Sequence, residues 1–248
     1  MSYQTDIIIV NYNTKKLLAG CIESIREHTG SPADYRLWVV DNGSTDGSVA
    51  YLRSLRGVNP IFNRQNLGYA KACNQGMAAG CGQYIILMNS DLIATPGWLP
   101  PLLKTLRAPE VAVVGPRLVS PDGFLVGAGV VGTNEQPVIR GWGEPDRPDL
   151  YNEPTECISL CGACLGLKRE LLPVLGYFDE HYFHYFEETD YCYNARWHGF
   201  KVVYTPESKL IHYVNGSCRN RRLLNQYYIR SKAYFDQKWE KRFRIRQF

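Results

Sequence analysis

The 248-residue chain predicts an α/β fold: a mostly parallel central sheet with helices on both faces, followed by a C-terminal helical tail. Two observations carry that expectation. Through the first half, short fully apolar runs alternate with segments whose apolar residues recur at helical spacing. One after another, those runs empty into polar residues, at Asn11, at Asp41 and at Asn89-Ser90-Asp91. Parallel sheets collect ligands at the carboxyl ends of their strands, so these residues are the first candidates for a site.

Ile7 to Val10 make residues 6–10 a buried strand, and Asn13 or Thr14 can cap a helix with an apolar stripe of Leu17, Leu18, Cys21, Ile22 and Ile25. Residues 37–40 form the second strand. The loop Asp41-Asn42-Gly43-Ser44-Thr45-Asp46-Gly47 is dense in turn and cap residues, with Asp46 placed to cap the helix over 48–55. A short strand at 60–62, a helix over 69–79, a strand over 84–88, a helix over 98–106 and a strand over 111–114 follow. From 116 to 154 the pattern gives way to Gly, Pro and Asp, which predicts a functional loop or lid. Regular structure resumes over 157–167, then a helix near 190–198 and strands at 201–204 and 209–212. The tail, 222–239, reads as a helix with an aromatic side of Tyr227, Tyr228, Tyr234, Phe235 and Trp239. The expected organisation is a first half, 1–115, a second half of the same domain, 116–217, and the tail, 218–248.

The hydrophobic share of 45% and charged share of 21% are ordinary for a globular protein. No apolar stretch reaches the roughly 18–20 residues that span a bilayer, and the N-terminus lacks the regions of a signal peptide. A cytoplasmic location is the expectation. Cysteines inside apolar segments suit a reducing compartment. Cys157 and Cys161-Gly162-Ala163-Cys164 raise zinc or redox chemistry, but no second matching pair follows, which favours buried thiols. The net charge of +4 hides an asymmetry: residues 219–248 hold ten Lys/Arg against two Asp/Glu, and the remainder is net acidic. That tail suits packing on the domain through its aromatic side, or peripheral contact with the inner face of a membrane. No nucleic-acid module is present.

Four segments in order carry a family resemblance. They are Val40-Asp41-Asn42-Gly43-Ser44-Thr45-Asp46-Gly47-Ser48, Asn66-Leu67-Gly68-Tyr69-Ala70 with Asn74, Met88-Asn89-Ser90-Asp91, and Phe178-Asp179-Glu180 through Glu187-Glu188-Thr189-Asp190 to Pro206-Glu207 and His212. Together they resemble glycosyltransferase family 2, inverting enzymes with the Rossmann-like GT-A fold, and most of all its bacterial rhamnosyltransferase-like members.

The resemblance implies a dTDP- or UDP-sugar donor, a Mg²⁺ or Mn²⁺ cofactor and a glycan or lipid-linked saccharide acceptor, as in cell-envelope polysaccharide synthesis. It places Asp41 on the pyrimidine imide N–H, where the residue-level alternative is a turn cap for Ser44-Thr45. Asn11 and its neighbours border the same base. Asn66 belongs to the donor-side loop, and Lys71 meets phosphate or ribose or is a solvated helix residue. Asp91 is the anionic metal ligand, because Asn89 replaces the first acid of an Asp-x-Asp motif and is left to ribose or a metal-bound water. His212 completes the metal shell. Among Glu187, Glu188 and Asp190, position makes Glu188 the base that takes the acceptor's proton, where the family usually has Asp. Repulsion among these carboxylates would raise a pKa. Asp190 caps the helix or orients the acceptor. Two other readings compete: a catalytically silent nucleotide-sugar or carbohydrate-binding module of this fold, and a nucleotidyltransferase. The second would need a Gly-rich basic loop after the first strand, and Asn11-Tyr12-Asn13-Thr14 is not one.

Overall fold

The computed structural model describes residues 4–31, 34–214 and 220–245, with side chains through Arg242. Its first half is the expected alternation: β1 (Thr5–Asn11), α1 (Lys15–His28), β2 (Tyr35–Asp41), α2 (Ser48–Ser54), β3 (Val58–Phe62), α3 (Tyr69–Ala79) and β4 (Tyr84–Asn89). After it come β5 (Leu92–Ala94), α4 (Leu99–Leu106), β6 (Val111–Val119), β7 (Leu125–Gly127), β8 (Val130–Gly132), β9 (Pro137–Ile139) and β10 (Thr155–Glu156). The remainder is β11 (Cys164–Lys168), α5 (Leu172–Leu175), α6 (Glu187–Trp197), β12 (Lys201–His212) and α7 (Arg221–Ile245).

One sheet runs through both halves in the order β10-β12-β6-β11-β4-β1-β2-β3. It is parallel across β4-β1-β2-β3 and between β6 and β12, and β11 is the antiparallel insert between them. Successive β1 side chains serve opposite layers of core. Ile7 and Ile9 meet the α1 stripe of Leu18, Cys21, Ile22 and Ile25, while Ile8 and Val10 meet Ala72, Cys73 and Met77 of α3. This two-sided burial is why β1 and β4 are apolar throughout instead of alternating. Leu17, counted in the stripe, is only half-buried.

Three stretches differ from the pattern expected. β6 continues through Pro116 to Val119, because Pro116 lies where the ladder to β12 slips between Thr205 and Lys209 and tolerates a missing N–H. The same slip accommodates Pro206, so the strands expected at 201–204 and 209–212 are one strand, β12. Residues 120–151 contain short antiparallel pairings and are tied down by Arg117. Its buried guanidinium donates to the Asp146 carboxylate and to the carbonyls of Arg147, Leu150 and Tyr151. The helix α7 packs onto α6 through the aromatic side read from the sequence: Phe235 and Trp239 are buried against Tyr193.

Candidate active site

Strand register assembles the site. Asn11 lies opposite Asp41 and Val10 opposite Asn89, which aligns three strand ends. Asn11 is fully buried; its amide donates to Asp41 Oδ2 at 2.7 Å and its carbonyl accepts from Thr14 Oγ1 at 2.7 Å. Asp41 Oδ1 accepts the Ser44 backbone N–H at 2.9 Å. Both oxygens of this fully buried carboxylate are therefore used within the wall. Asp41 thus caps the Ser44 turn with Asn11 as its partner, and each of its oxygens keeps a second lone pair. Asp46 joins two helices, accepting from the backbone of Lys15 and of Ser48.

Asp91 and His212 come together because β5 pairs antiparallel with β12, setting Leu92 opposite His212. Asp91 Oδ1 stands 3.4 Å from His212 Nε2, with both residues buried. Neither Asp91 Oδ1 nor His212 Nδ1 has a hydrogen-bond partner among the described residues. Buried polar atoms of this kind are normally satisfied, so the pair has capacity for another group. A carboxylate and an imidazole suit Mn²⁺ or Mg²⁺. Among the described residues no group of three or more His, Cys, Asp or Glu converges, so further ligands would come from diphosphate oxygens and water.

β11 runs against β4, and the Asn89 N–H donates to the Ala163 carbonyl at 2.9 Å, which brings the Cys161–Cys164 turn beside Asn89. The cysteines there are free thiols. A Cβ on Gly162 would stand 2.9 Å from Glu188 Cγ, so the missing side chain is the space that Glu188 occupies. Glu187 and Glu188 open α6, where helix N-terminal N–H groups favour negative charge. Burial pushes both carboxyls above the ordinary glutamate range, and the Glu188 charge pushes Glu187 further. Burial, more than the mutual repulsion expected, is the leading cause. One oxygen of each lacks a partner among the described residues.

Asp190 is different. Its Oδ1 accepts from Trp239 Nε1 at 2.8 Å and from the Tyr182 hydroxyl at 3.2 Å, and its Oδ2 accepts from Lys238 Nζ at 2.8 Å. With these partners it anchors α7. Lys71, half-exposed, pairs with Glu180 at 3.6 Å and does not line the cavity.

A cavity of about 360 Å³ opens at these strand ends, lined by Val10, Tyr12, Asn42, Asn66, Asn89, Ser90 and Asp91. Asn66 is on its wall, its side-chain carbonyl held by Asn42 Nδ2 at 2.8 Å and Gly68 N–H at 2.9 Å. The far wall is one that sequence reasoning missed: Tyr69, Phe183 and His184, with Leu223, Leu224 and Tyr227 of α7. Glu187 and Glu188 do not line this cavity, but both charges act on Tyr69, whose hydroxyl donates to the Gly162 carbonyl at 3.3 Å. His184 is held neutral by burial, its pKa lowered to about 4 against the opposing pull of Asp91. The signal for this wall was the aromatic run around His184 and the i, i+4 spacing of Tyr227, Ser231, Phe235 and Trp239.

Known proteins are similar to this chain in sequence and in fold. The chain is 28% identical over 236 residues to the N-acetylglucosaminyl-diphospho-decaprenol L-rhamnosyltransferase of Mycobacterium tuberculosis, covering 84% of this chain and 75% of that protein. It is 29% identical over 232 residues to an uncharacterized protein of Sinorhizobium fredii, covering 85% of this chain but only 24% of that protein's length. In fold it matches the mannosyltransferase of Pyrobaculum calidifontis in complex with GDP-Man and Mn²⁺, with TM-score 0.68 at 17% identity, over 98% of this chain and 65% of that one. The fold is GT-A. A family model matches from residue 6 to residue 175, through the strand-end loops and the Asn89–Asp91 turn, and the chain belongs to Glycosyl transferase family 2.

Proposed function

We propose that this protein is an inverting, metal-dependent glycosyltransferase that moves a sugar from a nucleotide-sugar to a hydroxyl of a glycan or lipid-linked saccharide. One observation carries the proposal. Of the five buried side-chain polar atoms without a partner among the described residues, four belong to Asp91, His212, Glu187 and Glu188. The family model independently covers the first of these.

In this reading Asp91 and His212 would hold the cation, which would supply positive charge opposite the leaving diphosphate. The nucleoside lies along Val10, Tyr12, Asn42 and Asn66, and Asn89 meets its ribose. Glu188 is the base. It takes the proton of the acceptor hydroxyl, the acceptor oxygen bonds to the anomeric carbon, and the carbon–diphosphate bond breaks on the opposite face with its electron pair. Glu188 is favoured over Glu187 because it is the less buried of the two, and the Glu188 charge adds to the burial that raises Glu187. The Mycobacterium tuberculosis relative supports rhamnose as the sugar and a lipid-linked diphosphate saccharide as the acceptor. A thymine or uracil base, with Asp41 on its imide N–H, is retained from the sequence resemblance.

Glu188→Gln is expected to lower transfer from dTDP-rhamnose by about 10²-fold or more while Mn²⁺-dependent donor binding persists in calorimetry. Normal turnover by that variant would remove the base assignment. The competing reading, a silent binding module, predicts donor binding with no turnover in the wild type.

A further inference from the structure

α7 grips the segment that delivers the candidate base, residues 179–190, at both ends. Asp179 accepts from Lys238 Nζ at 2.8 Å and from the Tyr234 hydroxyl at 2.9 Å. Asp190 accepts from the same Lys238 ammonium at 2.8 Å and from Trp239 Nε1 at 2.8 Å. Between them, the Ser231 hydroxyl donates to the His184 carbonyl at 2.8 Å. Rings fill the rest of the contact: Tyr227 lies 4.7 Å from Phe183, Tyr228 5.3 Å from Phe186, and Phe235 5.3 Å from Phe186, centroid to centroid.

What is gripped is strained. Tyr185 has φ 71° and Phe186 φ 70°, two consecutive aromatic residues in the left-handed region immediately before Glu187. Bulky residues adopt that conformation only where their surroundings over-determine it. Nothing in the local sequence favours it, since no glycine or asparagine stands there. The surroundings packed against it include Tyr228 and Phe235 of α7.

We propose that α7 is a latch for the catalytic turn: Lys238, with Ser231 and Trp239, holds Tyr185–Phe186 in the left-handed conformation and so aims Glu188. Lys238 is then a positioning residue, acting through the turn and not on substrate. The inference rests on the reading of Glu188 as the base. It adds that the C-terminal helix, whose amino-terminal half walls the cavity, belongs to the active site through its carboxyl-terminal half as well.

The test uses the full chain and the variants K238M, K238R and S231A, with E188Q alongside. Amide hydrogen exchange is read over residues 182–190, turnover as dTDP released from dTDP-rhamnose with Mn²⁺, and affinity as dTDP binding with Mn²⁺. For K238M the latch predicts exchange over 182–190 faster by about tenfold, with β1 and β4 unchanged. It also predicts kcat lower by about tenfold or more at unaltered dTDP affinity. K238R restores much of both, and S231A shows the same pattern more weakly. Should K238M fail to fold, S231A carries the same two readouts. Folded K238M and S231A with wild-type exchange over 182–190 and wild-type kcat would overturn the latch. Normal turnover by E188Q would instead remove the base assignment, and the exchange data would still decide whether α7 holds the turn.

Discussion

Glu187 and Glu188 show how a carboxylate's environment decides its task. Both are raised by burial, but Glu187 is nearly inaccessible and also faces its neighbour's charge. A carboxyl whose folded pKa lies above its unfolded value binds more protons when folded. Its contribution therefore favours folding at low pH and is lost as pH rises from the ordinary glutamate range through the raised value. Glu187→Gln is accordingly expected to raise the melting temperature at pH 8 but not at pH 4, by about 2–4 °C for each kcal/mol relieved. Thermal unfolding at the two pH values checks this; an equal effect at both would contradict it. The Asp91 position was legible in the sequence because a buried strand empties into Asn89-Ser90-Asp91. The partners of Asp41 and Asp190 were not legible, because they lie far along the chain, Asn11 and Trp239, where local pattern does not reach.

At the scale of elements, Gly162 and Trp239 bracket α6. Gly162→Ala places a methyl where Glu188 lies, so the glutamate must move while the turn itself folds. The expected result is a lower kcat with little change in dTDP affinity or melting temperature, checked by steady-state kinetics and calorimetry. Trp239→Ala should cost about 3–5 kcal/mol in denaturant unfolding, from the cavity it leaves and the lost indole bond to Asp190. The β1 to β4 alternation was readable because two-sided burial writes unbroken apolar runs. β5 was not, being three residues long and defined by its pairing with β12. That same pairing brings His212 to Asp91, so the candidate metal pair depended on a contact no periodicity carries. It was reachable only through the family resemblance.

At the scale of the whole molecule, the GT-A sheet gathers its chemistry at one set of strand ends, and the C-terminal helix closes over it. Among the described residues no helix is long and apolar enough to cross a membrane. The basic tail was legible as a charge asymmetry, but its aromatic side is committed inward to α6 and the 179–190 segment. The fold's central claim is that the unsatisfied Asp91–His212 pair receives a cation and the donor's diphosphate. Calorimetric titration of dTDP into the wild type and into Asp91→Ala, with and without Mn²⁺, tests it most directly. Binding that requires Mn²⁺ and disappears in Asp91→Ala, with Asn89→Ala only weakened, is the predicted result. Equal binding by wild type and Asp91→Ala, or binding indifferent to Mn²⁺, would contradict it.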